Sequence, residues 1–306
     1  MYIANPIYDT VFKHLMENNR VARFFVETII GQPVESIVVS PQERTVLKLP
    51  PTFIETGELT TEEKDKLIEY LSVLRYDFLA TIRTPEGHKK VLIEIQKARN
   101  AFDLVRFRNY LDEKYKRKDV ITVDDKETEA SLPIITIYML GFGLPETDAV
   151  IIHVNRIYRD VLEDGKILNV KNKFIECLTH DSYVVQIPYI KEQNRNRLEK
   201  MLSLFEQNNF YNEKRILKKF LQEVDDENIR LMLEILTQLG ADPEQQEEME
   251  LEWRSCKFLA DYFMVEEQGR ALEKRKRALE EQAGLQQKIA EQAARIAELE
   301  RRLGLS

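Results

Sequence analysis

The feature that most constrains the fold is a pair of apolar, strand-like runs separated by a short turn. The runs cover residues 75–83 and 89–96, and the turn between them reads Thr84-Pro-Glu-Gly-His88. Proline and glycine between two such runs predict a β-hairpin. Both faces of the second run are mostly apolar, so we expect this strand to be buried.

Each strand of the predicted hairpin carries one carboxylate among apolar neighbours. These are Asp77 and Glu94, and Gln96 shares a face with Glu94 because side chains alternate along a strand. A buried carboxylate needs a partner, since an unpaired buried charge is costly. Two interpretations stay open at this point. Either a hard divalent cation, Mg²⁺ or Mn²⁺, lies between the two carboxylates, or each forms a salt bridge with an arginine such as Arg75 or Arg106.

The remaining patterns up to residue 190 predict an α/β domain with a mixed central β-sheet flanked by helices. Apolar spacing predicts one or two helices within residues 7–30 and an amphipathic helix over 98–117. Further strands are expected at residues 36–40, 132–140, 149–154 and 183–190, and the last three belong either to the same sheet or to a hairpin packed beside it. An acidic loop at 55–65 leads into a helix that ends near residue 72.

The C-terminal third shows a different pattern. Beyond Pro188 we find helical spacing and no strand-like run, and from about residue 265 the apolar residues recur at heptad spacing with polar seam positions. We therefore predict three regions: the α/β domain at 1–190, an α-helical domain at 191–264 and a coiled-coil tail at 265–306. The tail is expected to make the protein a homo-oligomer.

Charge and composition limit the classes of function. The net charge of −8 argues against indiscriminate coating of nucleic acid. However, residues 97–118 contain eight basic and three acidic residues, which predicts either a surface for a polyanion or a solvated helix face. The sequence has no apolar run long enough for a membrane span and no signal-peptide pattern at its start, so we expect no membrane association and a cytoplasmic location.

The order of these features resembles a known family. Asp77 followed by Glu94-Ile95-Gln96 is similar to the D-Xn-ExQ variant of the PD-(D/E)XK nuclease motif. Together with Tyr8-Asp9-Thr-Val-Phe12-Lys13 and Arg106-Phe-Arg-Asn-Tyr110, it resembles the Rpn-like PD-(D/E)XK family transposases and recombination-promoting nucleases. The resemblance covers roughly residues 1–190. The chain departs from the superfamily in having Arg75-Tyr76 in place of the motif proline and Gln96 in place of lysine.

The resemblance implies a restriction-endonuclease-like fold and a set of site residues. Asp77, Glu94 and the Ile95 carbonyl are implied to bind Mg²⁺ (or Mn²⁺), with Gln96 beside them and Asp9 as a third carboxylate. Asp9 and Lys13 share one helix face, so they either approach the site or form an i,i+4 ion pair.

The implied activity is Mg²⁺-dependent hydrolysis of DNA phosphodiester bonds, in mobile-element recombination or phage defence. The residues expected to contact DNA are Arg106, Arg108, Tyr110 and Lys114 on the basic helix, although Arg106 and Tyr110 could instead cover the sheet. The alternative function is a catalytically silent nuclease fold that acts as a binding or oligomerising module through its tail.

Overall fold

The structure is a computed structural model that describes residues 1–40, 60, 62, 78–96, 101–123, 126–191 and 195–257. Within these, the side chains of residues 101–106, 110, 122 and 123 are outside the description. The predictions for Asp77, for most of the segment 55–72 and for the coiled coil at 265–306 therefore fall outside the described residues.

Strands and helices alternate along most of the described chain. In chain order the elements are β1 (Tyr2–Ala4), α1 (Asp9–Glu17), α2 (Asn19–Ile30), β2 (Ser36–Val39), β3 (Phe78–Thr84), β4 (Gly87–Gln96), α3 (Ala101–Lys116), β5 (Asp119–Val123), β6 (Lys126–Ala130), β7 (Ile134–Leu140), β8 (Ile151–Val154), β9 (Arg159–Asp160), β10 (Lys166–Ile167), α4 (Lys173–Leu178), β11 (His180–Gln186), α5 (Arg197–Leu202), β12 (Leu217–Lys219), α6 (Glu227–Ala241) and α7 (residues 243–257).

A mixed central sheet organises the described residues. Its six strands lie in the order β2-β3-β4-β7-β11-β8. β4, β7 and β11 run parallel to one another, whereas β2, β3 and β8 pair antiparallel with their neighbours. The predicted α/β architecture with a mixed, helix-flanked sheet is confirmed. Of the two arrangements that the sequence left open for the strands near 132–140, 149–154 and 183–190, the structure has the one in which they join the same sheet.

The predicted hairpin is formed by β3 and β4. Thr84 lies opposite Gly87, so Pro85 and Glu86 make the turn. Gly87 has φ of 118°, a conformation that is strained for residues with a Cβ atom. The Thr84 hydroxyl accepts the Glu86 N–H at 3.3 Å and donates to the Gly87 carbonyl at 3.1 Å. These local bonds close the turn and fix the register of the two strands.

One face of the sheet packs against the N-terminal helices. Asn18 begins α2 by accepting N–H bonds from Arg20 and Val21 with its side chain, and Gly31 ends it in the left-handed conformation. Phe12 of α1, Phe25 of α2 and Phe205 form an aromatic cluster with centroid distances of 5.6–6.3 Å. The same core includes alternate residues of β4, namely Val91, Ile93 and Ile95.

The opposite face of the sheet packs against α3. Phe107 and Leu111 of α3 contact a smaller apolar cluster with Leu79, Leu92 and Ile134. Because side chains alternate along β4, Glu94 and Gln96 belong to this α3-covered face. Helices therefore cover both faces of the sheet. The face of β4 toward α1 and α2 is apolar in its second half, whereas the face toward α3 also contains Glu94 and Gln96.

The expectation of helices alone beyond Pro188 is wrong in one place. Leu217–Lys219 form β12, which pairs antiparallel with β1. The buried Lys218 ammonium donates to the carbonyl oxygens of Ser203, Leu204 and Glu206, at 3.2, 3.2 and 2.6 Å. The pairing with β1 joins the strand to the start of the chain, and the Lys218 bonds join it to residues 203–206. Met1–Trp253 form one compact unit, with a second unit from Arg254.

Several short elements were not expected from the sequence. These are the β5–β6 and β9–β10 hairpins and the helix α4. Among the described helices, none combines the length and apolarity that crossing a membrane requires.

Candidate functional site

The candidate site begins at Glu94, a carboxylate in the centre of the sheet. Its residue is 0% exposed. Tyr138 of the parallel strand β7 lies directly opposite Glu94 in the register, and Phe107 of α3 packs on the Tyr138 ring at a centroid distance of 4.4 Å. The pKa of Tyr138 is raised, chiefly by burial and further by the negative charge of Glu94. A carboxylate and a neutral phenol therefore share this buried face.

Gln96 lies two residues further along the same face, where three parallel strands end. Gln96 and Leu140 are opposite one another in the register of β4 and β7, and Leu140 is opposite Gln186 in that of β7 and β11. The Gly141 N–H donates to the Gln96 carbonyl at 2.7 Å. The carboxyl ends of parallel strands are the usual ligand-binding edge of an α/β sheet. Gln96 thus lies at this edge, and Glu94 lies two residues below it.

Gln186 shapes the loop that follows β7. This fully buried side chain accepts the Leu144 N–H at 2.6 Å. Its amide donates to the carbonyls of Thr147 and Ala149 at 3.3 and 2.7 Å. The Gln186 side-chain amide therefore holds the loop that follows β7, which begins next to Gln96. Sequence reasoning missed Gln186 and Tyr138, although a polar residue at the end of the apolar run Tyr183-Val-Val-Gln186 was an available signal.

A buried cluster of opposite charges lies at the other end of β4, under α3. The Lys90 ammonium is 2.6 Å from the Asp119 carboxylate, and the Lys114 ammonium is 3.9 Å from Glu113. Burial is the main cause that lowers the pKa of Lys114, while Glu113 raises it and Lys90 lowers it. Lys114 was expected to contact DNA, but its side chain is 8% exposed and faces this cluster.

The other predicted DNA-contacting residues also lie on α3. Arg108 is exposed, which fits both a phosphate contact and a solvated helix face. Arg106 and Tyr110 are within the helix, with their side chains outside the description. Phe107 and Leu111 face the sheet, and consecutive helix residues differ in direction by about 100°. Arg108 therefore points away from the packed face.

Asp9 and Lys13 lie on α1, away from Glu94. Lys13 donates to Asp9 at 2.7 Å, with side chains 8% and 41% exposed respectively, so the i,i+4 ion pair is formed. The Asp9 N–H donates to the Glu252 carboxylate of α7 at 2.9 Å. Within the described residues, no hydrogen bond or ion pair joins Asp9 or Lys13 to Glu94 or Gln96. α1 packs mainly against α2 and α6.

The described residues supply part of the predicted metal-binding set. Glu94 and the Ile95 carbonyl are present, whereas Asp77 is outside the description. No group of three His, Cys, Asp or Glu side chains suited to a metal ion occurs in the part of the chain that the structure describes. Carboxylate and carbonyl oxygens are the donors that Mg²⁺ prefers, so the chemistry of the two described donors fits this ion.

Comparison with known proteins adds no assignment. The sequence matches no protein-family model, and searches of curated proteins and of solved structures find no similar protein.

Proposed function

We propose that this chain is a Mg²⁺-dependent DNA endonuclease with a restriction-endonuclease-like fold, related to the Rpn-like PD-(D/E)XK nucleases. The observation that carries the proposal is the position of Glu94, fully buried on a central strand, with Gln96 on the same face at the carboxyl edge of three parallel strands. Burying a carboxylate in a sheet is costly. Such costs are typical of functional sites.

In this proposal the residues of β4 have separate roles. Glu94, the Ile95 carbonyl and Asp77 hold the ion, which when bound supplies Lewis-acid polarisation of a phosphodiester. Gln96 orients the attacking water, because its amide both donates and accepts hydrogen bonds. A neutral amide cannot offset the negative charge that develops at phosphorus. Gln96 therefore occupies the position of the motif lysine without supplying its positive charge.

Asp9 and Lys13 receive a structural role in the proposal. Their charges are paired with one another, and the Asp9 N–H bonds to Glu252, so this end of α1 is attached to the C-terminal helices. We therefore expect Lys13→Ala to change stability more than cleavage of DNA.

A plasmid-nicking assay tests the proposal. Purified full-length protein is incubated with supercoiled plasmid and Mg²⁺, with and without EDTA. We expect nicking that EDTA abolishes, loss of nicking in Glu94→Gln and a strong reduction in Gln96→Ala. Glu86→Gln is the matched control, because Glu86 is in the turn of the same hairpin and partly exposed. Nicking by Glu94→Gln at the wild-type rate would contradict the proposal.

The catalytically silent alternative is favoured by one specific observation. Glu94 is 0% exposed, and Tyr138 lies opposite it on β7, so DNA reaches its carboxylate only if the surrounding residues move. Under this alternative, the protein binds DNA or a partner without any Mg²⁺-dependent nicking. Glu94→Gln would then leave binding unchanged, because the Glu94 side chain is not exposed to a partner.

A further inference from the structure

The segment between β8 and β11 combines a partly buried group of ion pairs with many exposed apolar side chains. We call residues 155–179 the arm; they include the β9–β10 hairpin and α4. The Arg156 guanidinium contacts Glu176 at 2.7 Å and Asp181 at 3.1 Å, and it donates to the Glu176 and Thr179 carbonyls. The Tyr158 hydroxyl also donates to Glu176. Polar contacts, rather than apolar packing, hold the arm together.

The outer surface of the arm is strongly apolar. Nine of the seventeen large hydrophobic residues that are exposed in the described chain lie within the arm. The most exposed are Leu162 at 96%, Val161 at 88% and Phe174 at 73%. Ordering a segment costs conformational entropy that apolar burial normally offsets. The arm buries little of its own apolar surface, so a second surface is needed to cover it.

The amount of apolar surface suits a stable interface. At roughly 60–120 Å² for a fully exposed aliphatic side chain, the arm offers on the order of 400–700 Å². A standard interface takes about 800 Å² from each partner, of which somewhat more than half is apolar. One arm against one equivalent surface therefore reaches the usual interface size. The apolar area of the arm is comparable to the largest apolar patch of a typical monomer, which is often a functional surface.

The two ends of the arm differ in charge. The β9–β10 hairpin has three acidic residues, Asp160, Glu163 and Asp164, against Arg159 and Lys166, and Lys166 pairs with Glu163 at 2.8 Å, so this end is weakly acidic. Lys171 and Lys173 lie at the other end of the arm, at the start of α4. Overall the arm has five basic and four acidic residues. A surface with one acidic and one basic end complements itself when it meets an inverted copy.

The neighbouring strand extends this self-complementary surface. β8 is the outer strand of the central sheet, and among the described residues it pairs with β11 on one side only. Its other edge presents backbone donors and acceptors, and an edge strand pairs antiparallel with its own copy across a two-fold axis. We propose that the arm and the β8 edge form a two-fold interface with a second copy of this chain, distinct from the tail.

Sedimentation of the full-length chain tests this interface. We expect Leu162→Glu and Phe174→Glu each to weaken association at least ten-fold or to halve the assembly mass, whatever the tail contributes. Leu221→Glu is the matched control, since Leu221 is 64% exposed but outside the arm. Far-ultraviolet circular dichroism checks that the variants fold; their side chains are solvent-exposed, so we expect unchanged spectra.

A charge reversal distinguishes a specific interface from nonspecific hydrophobic association. Lys173 and Asp164 are both exposed, at opposite ends of the arm. Lys173→Glu should weaken association, and Lys173→Glu combined with Asp164→Lys should restore it. The proposal is overturned if the arm variants keep the wild-type mass, if Leu221→Glu disrupts association equally, or if the wild-type chain is monomeric, which would assign the arm to a different protein.

Discussion

At the scale of single residues, burial decides which basic side chain can reach DNA. Arg108 and Lys114 lie on the same helix, but only Arg108 is exposed. If the proposed DNA binding is correct, Arg108→Ala should lower the slope of log K against log salt by about 0.9, the value for one phosphate contact. Lys114→Met, which keeps the volume of the buried side chain, should leave the slope unchanged.

Fluorescence anisotropy of labelled duplex DNA across a range of NaCl concentrations measures these slopes. The two variants have the same change of formal charge, so each is the control for the other. Equal reductions in slope would show that net charge, and not the position of Arg108, determines the affinity.

A second prediction at this scale concerns pH and Glu86. Hydrogen bonds from Lys171 and then Lys89 lower the pKa of Glu86 from its ordinary value of 4.5 to about 2. Because the folded-state pKa lies below the unfolded-state value, ionised Glu86 stabilises the fold above pH 4.5. This contribution is lost as the pH falls toward 2. The effect is small, because Glu86 and Lys171, its strongest partner, are both exposed to solvent.

Thermal unfolding of wild-type protein and Glu86→Gln at several pH values measures this effect. We expect the wild type to have the higher melting temperature at pH 6, and the difference to shrink between pH 5 and pH 3. Added salt should reduce it at pH 6. A difference that stays constant with pH would mean that the two lysines do not hold Glu86 in its ionised form.

At the scale of elements, local patterns explain what could be predicted from the sequence. The β3–β4 hairpin and α3 follow from periodicity and turn residues that are adjacent in the chain. β12 was missed because Ile216 and Phe220 have helical spacing. What makes that segment a strand is its pairing with β1, far away in the sequence, together with the carbonyl oxygens that surround Lys218.

The residues of the candidate site likewise fall into those that a local sequence pattern predicts and those that depend on long-range packing. Glu94 and Gln96 were identifiable because both lie on one strand, and alternation places them on one face. Tyr138 and Gln186 come from β7 and β11, whose register against β4 no local pattern specifies. The burial of Lys114 was equally hidden, because it depends on how α3 is rotated over the sheet.

The packing of α6 on β1 gives a prediction for an element contact. A Cβ atom at Gly240 would lie 2.9 Å from the Ala4 nitrogen and 3.2 Å from the Ile3 carbonyl carbon. Glycine to alanine normally stabilises a helix by about 1 kcal/mol. Here the contact atoms are backbone, so Gly240→Ala should instead destabilise the protein by about 1–3 kcal/mol.

Chemical denaturation measures this change in the free energy of unfolding. Gln238→Ala is the control, because Gln238 is exposed on the same helix, and it should change stability by less than about 0.5 kcal/mol. A more stable Gly240→Ala variant would show that α6 does not approach β1 this closely.

At the scale of the whole molecule, the start of the compact unit is attached to a strand more than two hundred residues later in the chain. β1 pairs with β12, and the N-terminal ammonium donates to the Phe220 carbonyl at 3.1 Å. The central sheet, the arm and α6 thus belong to the unit Met1–Trp253. The predicted tail at 265–306 follows this unit in the chain. Two separate association surfaces, the arm and the tail, are therefore proposed for one protein.

The last prediction separates these two surfaces by removing the tail. A chain that ends at Leu259 keeps all of Met1–Trp253, so it should unfold at the same temperature as the intact protein. Joining two contacts in one assembly raises affinity through effective concentration, so the shortened chain should dissociate at roughly 10²-fold higher concentration. Its remaining association should depend entirely on the arm, and Leu162→Glu in this background should give a monomer. If sedimentation instead shows the shortened chain to be monomeric at every concentration while the intact chain associates, the tail alone makes the oligomer and the arm contacts a different partner.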